Sequence, residues 1–270
     1  HVNSLAIVYF CFMLRLSALL TFCLFANTAR AQIRLDRLEI LSKQEYKIIG
    51  SDILVADTLV MRDSSRIILN QDVKENIINA KVVIVGNGCV ISGRGKNGTS
   101  GKTGAVGRGQ SAPCRNGNNG KDGEVGKPGI DGLNLSFYFN SLKIDGVLTI
   151  DLNGGDGGSG GKGGKGGDGG SGTQVCKGGN GGNGGNGGNG ASGGNGGIVK
   201  VTCKTCTDLY TLQGTKLLFK NYGGFAGAGG IGGIGGQAGL GPKDGKNGKR
   251  GIAGLDGIVG KAGAFTIEQK

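Results

Sequence analysis

The chain has 270 residues, 62 of them glycine, and a formal net charge of +12. Its one histidine is His1, and no two acids stand in a recognisable catalytic setting, which argues against an enzyme. The positive charge suits polyanions such as acidic polysaccharide, lipopolysaccharide, mucin or extracellular DNA, although lysines scattered through the repeats serve solubility equally well.

Residues 1–12 read as translated upstream sequence. From Met13, the positive Arg15, an apolar run over 16–25 and Ala29-Arg30-Ala31 have the form of a secretory signal peptide, 13–31, cleaved after Ala31. An uncleaved anchor is the rival reading, but the run is shorter than the ~20 residues that a membrane-spanning helix needs. Cleavage would leave 32–270 at +10, because 1–31 hold Arg15 and Arg30 and no acid. The expectation is a secreted, extracellular or cell-surface protein with no membrane span. Five cysteines remain in that part: Cys89, Cys114, Cys176, Cys203 and Cys206. Export permits disulfides, and the odd count leaves one thiol unpaired or intermolecular.

Residues 32–92 predict a β-rich N-terminal domain. Ala56 to Ile67 can be laid over Ala80 to Ile91, an offset of 24 residues in which apolar pairs, a polar corner and a second apolar strand recur. One layer of a β-solenoid would look like this, and an antiparallel sandwich fits nearly as well.

From 93 to 270, three glycine blocks (93–132, 154–197 and 223–263) are interleaved with strands at 133–153, 198–222 and 264–267. The first block has glycine at every third place, in one register from Gly95 to Gly107 and another from Gly117 to Gly132, with Pro113 and Cys114 between them. In the strands that follow, Asp145-Gly146 signals a two-residue hairpin or a solenoid corner. The middle block is Gly-Gly-X, where X is almost always Asn, Asp, Lys or Ser, broken at Thr173 to Lys177. The last keeps one register from Gly224 to Gly263, broken around Pro242.

A period of three belongs neither to a strand nor to an α-helix but to the extended polyproline II helix, which makes no internal hydrogen bonds. Its N–H and C=O groups must therefore find partners on neighbours, which glycine lets approach closely. Disordered linkers have no reason to match in length or to break at their centres. The blocks predict three hairpins, hence about six helices of roughly 16–20 residues and 50–60 Å each, with essentially no α-helix after the signal peptide. Two glycines per triplet place the middle block at the centre and the first outside. In the last block Ile231, Ile234, Ile252, Leu255, Ile258 and Val259 suggest a face packed on apolar surface, the strands being the candidate.

Triplets such as Gly123-Glu124-Val125-Gly126-Lys127-Pro128 look collagen-like, but three prolines are too few to pre-order a triple helix. The Gly-Gly-X run more closely resembles the polyglycine II bundles of springtail antifreeze proteins and of certain phage tail-fibre adhesin tips. The antifreeze resemblance implies a flat, weakly polar face, here the exposed ladder Asn180, Asn183, Asn186, Asn189, Ser192 and Asn195. Charges at Asp156, Lys162, Lys165 and Asp168 speak against ice. The adhesin resemblance implies recognition at the breaks 108–116, 173–177 and 240–244, that is by Arg108, Gln110, Arg115, Gln174, Lys177 and Lys243.

Other motifs fall away. Gly101-Lys102-Thr103 lacks the first glycine of a phosphate-binding loop, and Gly93 to Gly98 matches a dinucleotide fingerprint as any such repeat must. Asp145, Asp151 and Asp156 could be the acids of a solenoid enzyme on carbohydrate, but suit corners and surface better. Cys203-Lys204-Thr205-Cys206 sits among strand formers, which disfavours a redox pair, and zinc would need a second ligand pair. A structural disulfide is the preferred reading. Cys114 and Cys176, at the midpoints of adjacent blocks, predict a bridge between hairpin tips.

The expectation is a secreted structural or adhesive protein, not an enzyme, without cofactor, metal or specific nucleic acid. Its partners would be further copies in a filament or matrix, or an acidic polysaccharide. The alternatives are an ice-binding protein and a carbohydrate-active solenoid enzyme.

Overall fold

Strands form where β-branched and other apolar residues recur at alternate places. The computed structural model describes residues 32–206 and 209–269; the signal-peptide reading for 13–31 lies outside them. One sheet holds, side by side, β1 (Gln32–Ile40), β3 (Ile53–Met61), β5 (Glu75–Val85), β7 (Asn134–Ile144), β9 (Val199–Cys203) and β11 (Phe265–Gln269). The other holds β2 (Glu45–Lys47), β4 (Arg66–Ile68), β6 (Cys89–Ser92), β8 (Leu148–Asp151) and β10 (Leu217–Lys220). Helix is confined to the single turn α1 (Leu209–Leu212) among the described residues.

Among the described residues every strand pairing is parallel. An antiparallel sandwich is therefore not the arrangement: consecutive strands alternate between the sheets instead of pairing with each other. Asp145-Gly146 accordingly turns a corner from β7 to β8 and closes no hairpin. The offset of 24 residues is the register itself, with Ala56 facing Ala80, Met61 facing Val85 and Ile67 facing Ile91. Between the sheets lie Leu54, Leu59, Ile67, Ile78, Ile91, Phe137, Leu148 and Ile150, all fully buried. Each contributes about 1.5–3 kcal/mol of transfer free energy. The sheets also cross the boundary at residue 92, since β7, β9 and β11 extend the sheet begun by β1.

The ladder between β3 and β5 is interrupted once, between Ala56↔Ala80 and Thr58↔Val82, where Asp57 and Lys81 keep the same register and are joined by a 2.9 Å ion pair. At the next turn Lys43 and Ser64 have positive φ (62° and 58°), where the following layer uses Gly88 (70°). Such dihedrals are costly for side chains other than glycine and Asn.

The glycine blocks all leave from one place. Between β2 and β3, and between β4 and β5, the chain crosses back to the first sheet in a few residues. The same crossing after β6, β8 and β10 becomes a long loop that goes out along one arm and returns along another. Strand stacking carries these loops into register: Ser92↔Asp151 pairing runs directly into Gly95 N–H to Asn153 C=O (2.8 Å) and Gly98 N–H to Asp156 C=O (2.7 Å). Within each loop the arms bond antiparallel, as Glu124 to Lys102 (2.9 Å), Gly182 to Gly167 (2.8 Å) and Gly248 to Gly236 (2.9 Å). Between loops, outgoing arms bond outgoing arms (Gly101 to Ser159, 2.8 Å; Gly163 to Ile231, 2.9 Å) and returning arms bond returning ones (Gly123 to Asn186, 2.8 Å; Gly187 to Ile252, 2.8 Å). Diagonals such as Gly161 to Glu124 and Gly230 to Gly188, both 2.8 Å, complete the array. The middle loop bonds to both of the others.

The last block corrects one sequence expectation, that its apolar residues pack on the strands. The outgoing arm of the last block carries a second glycine column, Gly229, Gly232 and Gly235, because a Cβ on Gly232 would fall on the Gly251 carbonyl of the returning arm. The apolar residues Ile231, Ile234, Ile252, Leu255, Ile258 and Val259 do not pack on the strands; they are 52% to 75% exposed. Apart from Ala191, glycine takes the places along the arms that face a neighbouring arm, so the remaining positions point outward whatever their polarity.

Candidate binding surface

Each triplet of the middle returning arm has three N–H groups to satisfy. In Gly181-Gly182-Asn183 the first donates to the Lys246 C=O (2.9 Å) and the second to the Gly167 C=O (2.8 Å). The third, on Asn183, has no backbone acceptor and donates instead to Asn119 Oδ1 on the first loop (2.8 Å). Asn183 Oδ1 in turn accepts the Lys249 N–H of the last loop (2.8 Å). X is so often Asn or Asp because those short side chains carry an acceptor that reaches the next arm's backbone.

The relay repeats along the column. Asn116, Asn119, Asp122 and Asp131 accept from the N–H of Asn180, Asn183, Asn186 and Asn195 (2.6–2.8 Å). Asn180, Asn183, Asn186, Asn189 and Asn195 accept from Lys246, Lys249, Ile252, Leu255 and Lys261 (2.8–2.9 Å). On the opposite column Asn153, Asp156 and Asp168 accept from Tyr222, Phe225 and Gln237, each at 2.8 Å. The Gln237 N–H, with Lys165 beside it, holds the Asp168 carboxyl below its usual range. Asn183, Asn186, Asn189 and Asn195 stay exposed and Asn180 is half-buried, but the oxygens of this ladder are committed to the protein.

The three breaks gather at the end of the loops farthest from the sheets. Cys114 and Cys176 form a disulfide, and Cys203 forms the other with Cys206 at the end of β9. Cys114 N–H donates to the Ser171 C=O, Gly172 to Leu240 and Gly178 to Lys243, each at 2.8 Å. Arg108, Arg115, Gln174, Lys177 and Lys243 are exposed there. Gln110 is tied down: its N–H donates to the Asp168 C=O (2.9 Å) and its Nε2 lies 3.5 Å from Asn118 Oδ1. The fifth cysteine, Cys89, is a buried free thiol 3.1 Å from the Arg62 carbonyl.

Near the tips the returning arms enclose a shallow polar groove of about 340 Å³, lined by Asn116, Asn119, Asn180, Asn183, Lys246 and Lys249. Sequence reasoning singled out Asn180 and Asn183 but not the other four. Their common face depends on offsets of 64 and 66 residues, set by the lengths of whole loops. Counting outward from the paired strands would have found them.

The three candidate acids do not converge. Asp145 lies 3.7 Å from Lys143, Asp151 Oδ1 accepts the Asn153 N–H (3.2 Å), and Asp156 belongs to the relay. Among the described residues no group of three His, Cys, Asp or Glu could hold a metal ion, and no helix is long and apolar enough to cross a membrane.

No family model matches this chain, and no curated protein does. Among solved structures, the nine polyproline type II helical bundle springtail antifreeze protein from Granisotoma rainieri is 25% identical over 64% of this chain and 94% of that chain. The TM-score is 0.12, at which the likeness carries no argument.

Proposed function

We propose that this is a secreted structural or adhesive protein in which a six-helix polyglycine II bundle stands on a parallel β-solenoid. The observation that carries the reading is the three-residue periodicity of the backbone bonds: six arms are tied to one another at every triplet from the sheets to the tips. Such a lattice is stiff along its whole length, as suits a spacer or a presenting surface. The two disulfides support export. The proposal assigns the protein no catalysis and no cofactor. Its partners would be acidic polymers, drawn by the net charge of +10 that 32–270 carry once Arg15 and Arg30 are subtracted from +12, and further copies of itself. For the latter, the exposed apolar side chains of the last loop and β11, which has no strand beyond it among the described residues, lie at one end of the stack. Negative-stain images of residues 32–270 should show rigid particles or filaments; floppy chains would refute the structural reading.

One observation favours ice binding as a second reading. Ile252, Leu255 and Ile258 are 73% to 75% exposed at an even spacing of three residues, a regular and weakly hydrated row. Thermal hysteresis at micromolar concentration would support it, and growth of ice at the melting point would exclude it.

A further inference from the structure

We propose that the groove at the tip end of the returning arms is a binding site for an acidic polysaccharide. The proposal rests on the adhesive reading and names its site. A backbone N–H can only donate, so the side-chain atom meeting it in Asn116, Asn119, Asn180 and Asn183 must be the oxygen. This fixes each carboxamide with its oxygen inward and its Nδ2 outward. None of these four Nδ2 groups has an acceptor among the described residues. The rotamers are locked by bonds of 2.8–2.9 Å, so the donors are ordered before any ligand arrives.

Lys246 and Lys249 border the amides on the next arm. Lys177 and Lys243 continue the same two columns one triplet nearer the tip, joined through Gly178 N–H to Lys243 C=O (2.8 Å). None of the four lysines forms an ion pair among the described residues. The nearest carboxylates along the chain, Asp122 and Asp244, use Oδ1 to hold the N–H groups of Asn186 and Gly241. Beyond Lys249 the column turns to Ile252, Leu255 and Ile258 before a single lysine, Lys261, near the sheets, so the run of successive lysines lies at the tip.

The surface therefore offers donors and positive charge, with the oxygens of these four amides turned away. Donor rows recur roughly every 9 Å, three residues at about 3.1 Å each, and neighbouring arms follow the ~4.8 Å strand spacing. A grid of this kind fits a repeating polymer better than one small anion. Acid groups of a polysaccharide would meet the lysines, and its hydroxyl and ring oxygens would accept from the amides. A single-stranded nucleic acid is disfavoured because no aromatic side chain lines the groove for bases to stack on.

The decisive variant is the double substitution Asn180→Asp and Asn183→Asp. Aspartate keeps the inward oxygen, as Asp122 and Asp131 do in the native relay, and removes the outward donor. Binding of residues 32–270 to polygalacturonate, dextran sulfate and a dT oligonucleotide would be measured at 50 and 200 mM NaCl. The expected result is binding of both polysaccharides by the wild type, weakened at least ten-fold by this pair and by Lys246→Ser with Lys249→Ser. The controls Asn97→Asp and Lys162→Ser with Lys165→Ser, placed elsewhere on the bundle, should leave affinity within about two-fold. A wild type that binds neither polysaccharide sinks the adhesive reading along with the groove. Polysaccharide binding that both groove variants retain, or that the controls lose equally, overturns the groove alone. Tighter binding of the oligonucleotide than of either polysaccharide overturns the ligand class. Circular dichroism and thermal melting of each variant show whether a lost affinity reflects the site or the fold.

Discussion

Gly185→Ala tests the central physical claim, that the glycine arms touch backbone to backbone. A Cβ at this position would overlap the carbonyl of Lys121 on the first loop, and backbone cannot swing aside as a side-chain tip can. Relief requires the two arms to separate locally. That strains Gly164 N–H to Lys121 C=O (2.8 Å), Gly123 N–H to Asn186 C=O (2.8 Å) and Asn186 N–H to Asp122 Oδ1 (2.6 Å). Overpacking costs about 1–3 kcal/mol, and one or two weakened hydrogen bonds cost about 0.5–1.5 kcal/mol each. Alanine recovers about 0.4–1 kcal/mol by restricting the unfolded chain. These ranges combine to a net loss of about 0.5–5.5 kcal/mol, about 3 kcal/mol at their midpoints. At a urea slope of roughly 2–3 kcal/mol/M, the unfolding midpoint would fall by about 1–2 M.

The chain contains its own control in Ala191, a buried alanine in the same glycine column. Around it Gly126 to Asn189 and Gly129 to Ser192 lengthen to 3.0 Å, against 2.8 Å in the rest of that column, and the facing X positions are Val125 and Pro128, which offer no relay bond. Slack exists there and not at Gly185. Ala191→Gly should therefore change stability by no more than about 1 kcal/mol, and Gln237→Ala, an exposed X position, by less than about 0.5 kcal/mol. If Gly185→Ala melts with the wild type, the arms are not in contact and the lattice reasoning fails.

Replacing Cys114 and Cys176 with serine should cost about 2–4 kcal/mol by chain entropy, because the bridge spans 62 residues; an unchanged urea midpoint would show that the tips are held by the lattice alone. Asn189→Ala deprives the Leu255 N–H of its acceptor and should cost about 0.5–1.5 kcal/mol, while Asn189→Asp restores the bond; equal midpoints for the two variants would refute the relay. The Asp168 carboxyl is held low in the fold, so its contribution is present above its ordinary value of 3.8 and lost as pH falls through the folded value. Lys200, raised chiefly by its hydrogen bond to Glu268, behaves oppositely: its contribution is complete below the ordinary 10.5 and lost as pH rises through the folded value. Asp168→Asn should therefore flatten only the acid limb of a stability–pH curve and Lys200→Met only the alkaline limb; loss on the wrong limb would contradict these pairings. Cys89 should resist alkylation until global unfolding, and rapid labelling of the native protein would contradict its burial.

Local periodicity was sufficient for much of this protein. The two-residue alternation and 24-residue offset of 56–67 on 80–91 already contained the strand register, because stacked layers must align like with like. Glycine at every third place marked the arms, their central breaks marked the turns, and cysteines at two breaks marked the bridge. What local pattern could not carry was direction. Parallel and antiparallel sheets bury the same alternating residues, so only the assembled structure separated the sandwich from layers that alternate between two sheets. The apolar residues of the last loop were misjudged for the same reason: hydrophobicity says that a residue gains from burial, but a glycine lattice leaves no inward place for it. The Asn ladder changed meaning once its neighbours were known. Each asparagine was legible as an exposed polar residue, and the fold alone decided that its oxygen serves the next arm while its nitrogen faces the groove, because that choice is made by an N–H group 64 or 66 residues away.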